Sequence, residues 1–84
     1  MNNNTNSNNQ EGLNGLYFIQ NVGSKIYDRG YIHRVTYDSQ WIVSDVSNSG
    51  VISKHQKTVG VEYSSARKFF TNKEAFKLFL AELL

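Results

Sequence analysis

The sequence predicts an α+β fold in which an antiparallel meander sheet of four to five strands is covered by one C-terminal α-helix. Two observations carry this prediction. Segments rich in β-branched and aromatic residues are separated by turns of two to four residues, which are too short for the crossovers that parallel strands need. The last thirteen residues then show helical periodicity, with an apolar stripe broad enough to cover one face of a sheet.

The N-terminus differs in composition from the rest of the chain. Residues 1–10 contain only Met, Asn, Thr, Ser and Gln, and six of them are asparagine. Because this tract has no apolar side chain after Met1 to offset the entropy of ordering, we expect residues 1–12 to form a disordered, Asn-rich tail. Residues 13–84 are then expected to form a single small domain. The chain shows neither a signal-peptide pattern nor an apolar run of membrane-spanning length, so we expect a cytoplasmic protein.

The strands are predicted from β-forming runs that are bounded by turn residues. Residues 28–30 (Asp-Arg-Gly) predict a turn, and Gly30 is expected to supply a positive φ there. Strict alternation further along predicts that one face of the next strand carries Tyr31, His33, Val35 and Tyr37. The predicted strands are residues 16–20, 25–27, 31–37, 40–46, 51–53, 58–63 and 66–70.

The C-terminal helix is predicted from a capping motif and a long apolar stripe. Thr71, followed three residues later by Glu74, forms a capping box in which each side chain satisfies a backbone donor at the helix start. Leu78 and Ala81 are apolar but lie outside the main stripe. Two interpretations remain open: these residues form an interface, or the helix is seated deeply enough to bury them. The stripe itself consists of Ala75, Phe76, Phe79, Leu80, Leu83 and Leu84.

Length and composition limit the classes of function. A domain of roughly 72 residues is marginal on its own. Because the chain has no cysteine, its stability must come from its eleven aromatic residues or from association. The net charge is only +2 and its carriers are scattered, which excludes a strongly acidic mimic of DNA. The densest basic stretch, residues 67–77, is typical of a solvated face next to a helix start.

No pattern in the sequence indicates catalysis, a metal site or a cofactor. The glycines lie at turn spacings, without a phosphate-binding loop. His33 and His55 have no second ligand at a metal-binding spacing, and the serines lie in turn contexts. Asp45 and Glu62 could face each other across neighbouring strands, but a hydrolytic carboxylate pair also needs a cleft. We therefore predict a protein that is not an enzyme and that needs no cofactor.

A nucleic-acid-binding module is one alternative, because aromatic side chains on a sheet can stack bases while basic side chains neutralise phosphates. The sequence lacks the basic-Gly-aromatic pattern of such sheets, and its excess charge is low. The competing interpretation places many of these aromatics in the core. The residues concerned are Tyr17, Tyr27, Tyr31, Tyr37 and Trp41, with Lys25, Arg29 and Arg34 beside them.

The C-terminal segment resembles an ending shared by many small proteins, in which a strand of the type Ala-x-x-Phe is followed by a Thr or Ser cap and a helix that begins Glu-Ala. The viroplasmin-like hybrid-binding domain attached to some ribonucleases H has such an ending. The present chain departs from that family upstream, where Trp41 lies in a strand-like run without the preceding helix. The matching residues are Ala66, Phe69, Thr71, Glu74, Ala75, Phe79 and Leu80.

The layout of the whole chain is similar to that of small phage-encoded anti-defence proteins, including some anti-CRISPR inhibitors. Shared features are a hairpin-rich sheet, the strand-cap-helix ending, a low-complexity N-terminus and the absence of cysteine. This resemblance implies a stoichiometric inhibitor that binds a host protein complex, in the cytoplasm of the host cell.

We therefore predict a non-enzymatic binding module, of the phage or mobile-element inhibitor type, that blocks a host defence or regulatory complex by protein–protein contact. Two alternatives are a nucleic-acid-binding module that uses the same sheet face and a structural homodimer domain in which Leu78 and Ala81 make the contact. No membrane partner is predicted. Tyr, Trp and Arg dominate the energetics of interfaces. The predicted partner-binding residues are Tyr27, Arg29, Tyr31, Arg34, Tyr37 and Trp41.

Overall fold

The computed structural model describes residues 12–60 and 67–84. Within these ranges the chain forms a five-stranded antiparallel sheet and a C-terminal helix, which confirms the predicted α+β class. Most of the predicted tail, residues 1–11, lies outside the described residues, and so do residues 61–66 of the last two predicted strands. The elements are β1 (Tyr17–Val22), β2 (Lys25–Val35), β3 (Trp41–Ser44), β4 (Lys57–Val59), β5 (Arg67–Phe70) and α1 (Lys73–Leu83).

The strands are arranged in the order β4-β3-β2-β1-β5, and all neighbours are antiparallel. β1 to β4 follow one another as a meander, as the short turns predict. β5 does not continue this meander. It lies at the opposite edge beside β1, where Tyr17 pairs with Phe70 and Gln20 pairs with Arg67. The two longest strands, β1 and β2, therefore lie in the interior of the sheet.

Gly30 lies inside β2 and not in a turn, so the predicted turn at residues 28–30 is wrong. β2 is continuous over eleven residues, and Gly30 pairs with Phe18 of β1. A Cβ atom at position 30 would lie 2.8 Å from the Ser44 carbonyl oxygen and 3.0 Å from the Phe18 ring. The glycine therefore permits close packing between three strands, and its φ is not positive.

Two β-bulges interrupt the pairing of β2. Tyr27 is left unpaired on the side of β1, and His33 is left unpaired on the side of β3. Because a bulge adds one residue, the alternation changes after His33. Val35 consequently packs with Trp41, on the face opposite Tyr31. The prediction that Val35 shares a face with Tyr31 is therefore wrong.

One face of the sheet, here called the helix face, is covered by α1 and by the loop between β3 and β4. An isolated bridge between Val46 and Ile52 closes this loop, in place of the strand predicted at residues 51–53. Gly50 has a φ of 90° and brings the loop against the side chains of Lys73 and Lys77 in α1. The buried apolar residues of the helix face are Tyr17, Ile19, Val46, Phe76 and Leu80.

The opposite face, here called the second face, also carries a buried apolar cluster. The Trp41 ring lies 5.3 Å from that of Phe18 and 5.8 Å from that of Phe69. The Arg67 guanidinium lies 4.8 Å from the Trp41 ring. Since β1 and β2 separate β5 from β3, these contacts show that the sheet curves and brings its outer strands together over this face. The buried residues of the second face are Phe18, Ile32, Trp41 and Val43.

The helix begins one residue later than predicted, because Asn72 and not Thr71 is its N-cap. The Asn72 side chain accepts a hydrogen bond of 2.8 Å from the Ala75 amide. Asparagine is at least as good a cap as threonine, so the later start is favourable. The predicted capping box of Thr71 and Glu74 is therefore wrong. Glu74 instead lies in the first turn and pairs with Lys77 at 3.8 Å.

Candidate protein-binding surface

The six predicted partner-binding residues do not form one patch. Four of them lie along β2, Tyr37 lies in the turn after it, and Trp41 begins β3. The path from Tyr27 to Tyr37 corresponds to roughly 33 Å of extended strand, at about 3.3 Å per residue. An interface of standard size buries about 800 Å² per partner, so residues this far apart would lie at opposite rims. The two ends of β2 are therefore separate candidate surfaces.

Tyr31, midway along β2, and Trp41, which pairs with Val35 at the last position of β2, contribute to the core. Trp41 is only 2% exposed, so the prediction of an exposed anchor at this position is wrong. Its Nε1 is buried and has no hydrogen-bond partner among the described residues. Tyr31 is half-buried, with ring centroids 5.0 Å from Tyr17 and 5.1 Å from His33. Burial raises the pKa of the Tyr17 phenol, and the nearby Tyr31 raises it further.

One end of β2 presents Arg34 and Tyr37. Both are exposed, Tyr37 completely so. The turn that carries Tyr37 is closed by two hydrogen bonds: the Thr36 amide donates to the Gln40 carbonyl at 2.7 Å, and the Gln40 amide donates to Thr36 Oγ1 at 2.9 Å. Tyr37 makes no ring contact with a described residue. This end therefore offers an exposed aromatic side chain that no described ring or cation contacts.

The other end of β2, at the β1–β2 hairpin, presents Tyr27 beside Lys25. Tyr27 is the bulged residue and is 57% exposed. Lys25 Nζ lies 5.0 Å from the centroid of its ring, a distance at which the cation is attracted to the ring. Val22, which pairs with Lys25, is also largely exposed. This end therefore brings aromatic, aliphatic and basic side chains together at the surface.

Arg29 lines an open groove between β2 and the loop that joins β3 to β4. It lies on the helix face, paired with Ile19 of β1. The loop approaches Arg29 because Val46 is buried in the core of that face. The groove has a volume of about 480 Å³, within the range of ligand-binding pockets. It is called the Arg29 groove below, and its described lining residues are Arg29, Asp45, Val46, Ser47, Val51 and Ser53.

Of the two charged side chains that line the Arg29 groove, Asp45 has an ion-pair partner and Arg29 has none among the described residues. Asp45 forms an ion pair with Lys57, with 3.4 Å between the nitrogen and the carboxylate oxygen. The Arg29 side chain is half-buried and has neither a hydrogen-bond nor an ion-pair partner among the described residues. The groove therefore presents one positive charge that no described carboxylate neutralises.

The apolar residues outside the main stripe of α1 are exposed. Leu78 is 68% exposed, and Ala81 is exposed three residues further along the same side of the helix. The interpretation that a deeply seated helix buries these two residues is therefore wrong. Leu84, just after the helix, is also largely exposed. A contact between two copies of the chain at Leu78 and Ala81 stays a prediction.

A buried Ser–His pair lies on the helix face and could not be recognised in the sequence. Ser44 Oγ lies 2.8 Å from His33 Nε2, and it donates its proton to the His55 carbonyl at 2.7 Å. With that proton committed, the hydroxyl must accept from Nε2, so the His33 proton lies on Nε2. A serine nucleophile needs the opposite polarity, with its proton directed at the histidine. The pair therefore joins strands and does not form a nucleophile.

The aromatic residues of the nucleic-acid alternative are unevenly exposed. Tyr27 and Tyr37 are largely exposed, whereas Tyr17 and Trp41 are buried. Base stacking on a sheet needs neighbouring open ring faces, and these four residues do not supply them.

Other classes of site can be assessed only for the part of the chain that is described. Residues 12–60 and 67–84 contain no cluster of His, Asp or Glu side chains that could hold a metal ion. No helix within the same ranges is both long and apolar enough to cross a membrane. Glu62, considered above as a partner of Asp45, lies outside the described residues.

Comparison with protein-family models, with curated proteins and with solved structures finds no match to this chain. The surface features of the chain that suit binding are the exposed Tyr27 and the Arg29 groove.

Proposed function

We propose that this protein is a non-enzymatic module that binds another protein through the hairpin end of its sheet. The surface concerned, called the hairpin-end surface, consists of Lys25, Tyr27 and the Arg29 groove. Its target is a host defence or regulatory complex, and the protein acts as a stoichiometric inhibitor of phage or mobile-element type, in keeping with the resemblance in layout.

One observation carries the proposal. Arg29, a predicted anchor, lines a concave groove on the helix face without a described partner for its guanidinium, and the exposed Tyr27, a second predicted anchor, lies beside Lys25 at the bulge two residues before it. Tyrosine and arginine in or beside a pocket are the residues that most often dominate binding energy. The far end of β2 has the same two residue types, Arg34 and Tyr37, and both are exposed.

The sheet also provides a rigid base for this surface. β2 pairs with β1 from Lys25 to Tyr31 and with β3 from Tyr31 onward, and Gly30 allows it to pack closely against Phe18 and the Ser44 backbone. Side chains on such a strand lose little additional freedom on binding, which lowers the entropic cost of association.

The proposal is tested by comparing two double variants that are matched in composition and differ in position. Tyr27→Ala with Arg29→Ala alters the hairpin-end surface, and Tyr37→Ala with Arg34→Ala alters the far end. Wild type and both variants are used to recover partners from host lysate, with and without nuclease. The recovered partner is then purified, and its affinity for each protein is measured by calorimetry.

We expect the hairpin-end variant to lose at least tenfold in affinity, while the far-end variant stays within about twofold of wild type. Equal losses for both variants would contradict the assignment of the surface. A partner that disappears on nuclease treatment, with binding that falls steeply as salt rises, would contradict protein recognition and favour the nucleic-acid alternative.

A further inference from the structure

We propose that the Arg29 groove binds a carboxylate of the partner protein, from a Glu or Asp side chain with aliphatic neighbours. This inference rests on the proposed function and names the chemistry that the groove recognises.

The Arg29 guanidinium is the principal donor. It has five N–H donors in a planar arrangement that fits the two oxygens of a carboxylate. The side chain is half-buried beside Val46, and none of those donors has a described hydrogen-bond partner. A guanidinium that is partly withdrawn from water and lacks an acceptor favours a ligand that supplies one.

A second donor comes from the Ser53 hydroxyl. Ser53 Oγ accepts a hydrogen bond of 3.1 Å from the His55 amide, and its own proton has no described acceptor. The Ser47 hydroxyl is occupied: it accepts from the Val51 amide at 3.0 Å and lies 3.0 Å from Ser49 Oγ. Donors without acceptors thus remain on both sides of the groove, at Arg29 and at Ser53, and both suit an anion.

The local charge favours a ligand with a single negative charge. Asp45 and Lys57 neutralise each other at 3.4 Å, which leaves the +1 charge of Arg29. One carboxylate balances that charge. A phosphate dianion would bring a second negative charge close to Asp45, which lies in the same lining.

The dimensions and the walls of the groove favour a side chain over a bare ion. About 480 Å³ is enough for a glutamate side chain and part of a neighbouring residue. Val51, which is 64% exposed, supplies apolar surface to the lining of the groove. The aliphatic part of the ligand can therefore bury apolar surface while its carboxylate reaches Arg29.

The loop wall of the groove is preorganised. The Ser47 amide donates to the Val51 carbonyl at 2.9 Å, and the Gly50 amide donates to the Ser47 carbonyl at 2.9 Å. Gly50 in turn packs against Lys73 of α1, and the Val46–Ile52 bridge closes the loop. A ligand that enters the groove therefore pays little to order this wall.

The test uses a capped tripeptide, acetyl-Val-Glu-Val-amide, and its neutral counterpart with Gln in place of Glu. Each is titrated into the full-length 15N-labelled chain at low salt, and shifts are followed at the Arg29 side-chain Nε–H and at the Ser53 amide. Inorganic phosphate is titrated as a separate probe. Circular dichroism establishes that each variant is folded.

We expect the Glu peptide to bind at least tenfold more tightly than the Gln peptide, with shifts confined to the groove. Arg29→Gln should abolish this preference, and Arg34→Gln, which alters an exposed arginine at the far end of β2, should retain it. Asp45→Asn should tighten binding on the order of threefold at low salt, because it removes a negative charge from the lining. Loss of folding cannot produce tighter binding, so this variant tests the electrostatic argument directly.

Equal binding of the two peptides, an unaffected Arg29→Gln variant, weaker binding by Asp45→Asn, or tighter binding of phosphate than of the Glu peptide would each overturn the inference. The inference and the proposed function can fail separately. If the double variant at Tyr27 and Arg29 loses the purified partner while the two peptides bind equally, the surface is correct and the carboxylate is not its ligand.

Discussion

The Ser44 hydroxyl lies 2.8 Å from His33 Nε2 and donates its own proton to the His55 carbonyl. Ser44 is buried in β3, so its removal would leave a donor on His33 and an acceptor on His55 without partners. We expect Ser44→Ala to lower the free energy of unfolding by about 1–3 kcal/mol. Urea denaturation followed by circular dichroism measures this change. Ser49→Ala, in an exposed turn, is the control and should change it by less than about 0.5 kcal/mol.

Gly30 provides a test of close packing between strands. A Cβ atom there would lie 2.8 Å from the Ser44 carbonyl oxygen, which is backbone and cannot move aside easily. We expect Gly30→Ala to destabilise the fold by about 1–3 kcal/mol. At Gly60 a Cβ would meet nothing within 4 Å, so Gly60→Ala should be close to neutral in thermal unfolding. Equal melting temperatures for the two variants would contradict the packing role of Gly30.

Tyr17 should make the fold sensitive to alkaline pH. Burial, with a further contribution from Tyr31, raises the pKa of its phenol above the ordinary value. The resulting stabilisation is fully present below about pH 10, where the phenol is neutral in both states, and is lost as pH rises through the folded-state pKa. We expect the wild type to lose stability above pH 10 more steeply than Tyr17→Phe. Parallel unfolding free energies for the two proteins from pH 8 to pH 11 would rule out this contribution.

The position of the helix cap can be tested with two adjacent alanine variants. Asn72 accepts the Ala75 amide at 2.8 Å, and Thr71 lies outside the helix. Asn72→Ala should cost about 0.5–2 kcal/mol of unfolding free energy. Thr71→Ala should lower the free energy of unfolding by clearly less than Asn72→Ala does. If urea denaturation shows a larger loss for Thr71→Ala, Thr71 is the cap, as the sequence indicates.

The homodimer alternative can be tested by substitution on the exposed side of α1. Leu78 is 68% exposed, with Ala81 on the same side. If these residues form a dimer contact, Leu78→Glu should reduce the mass measured by light scattering to that of a monomer, and Leu78→Ile should keep the mass of the wild type. A monomeric mass for the wild type at high concentration would end this alternative.

The fold class and the C-terminal helix could be predicted because their signals are local. A period of 3.6 residues marks the buried face of α1, including Phe76 and Leu80, and short turns favour antiparallel pairing. The sequence places the N-cap of α1 one residue too early, because Thr71 and Asn72 are both good caps and only the packing of the helix decides between them. The turn predicted at Gly30 is wrong because a glycine that lets neighbouring strands approach closely looks the same in a sequence as a glycine that a turn requires.

The candidate site could be predicted only in part, because it depends on contacts between distant segments. Arg29 and Tyr27 were identified by residue type, but the groove forms only when the loop after β3 folds against α1 through Gly50. The residue type of Trp41 predicts a surface anchor. The curvature of the sheet instead brings Arg67 and Phe69 over its ring. No pattern confined to one strand contains that information.

The position of β5 beside β1 also has a consequence for the order of folding during synthesis. Tyr17 is made 53 residues before its partner Phe70. Until then, a nascent sheet of β1 to β4 would have β1 as an open edge, with Tyr17, Phe18 and Ile19 close to free backbone donors and acceptors. Such an edge can pair with other chains, so the nascent protein should depend on chaperones, or on rapid synthesis of β5, until β5 closes that edge.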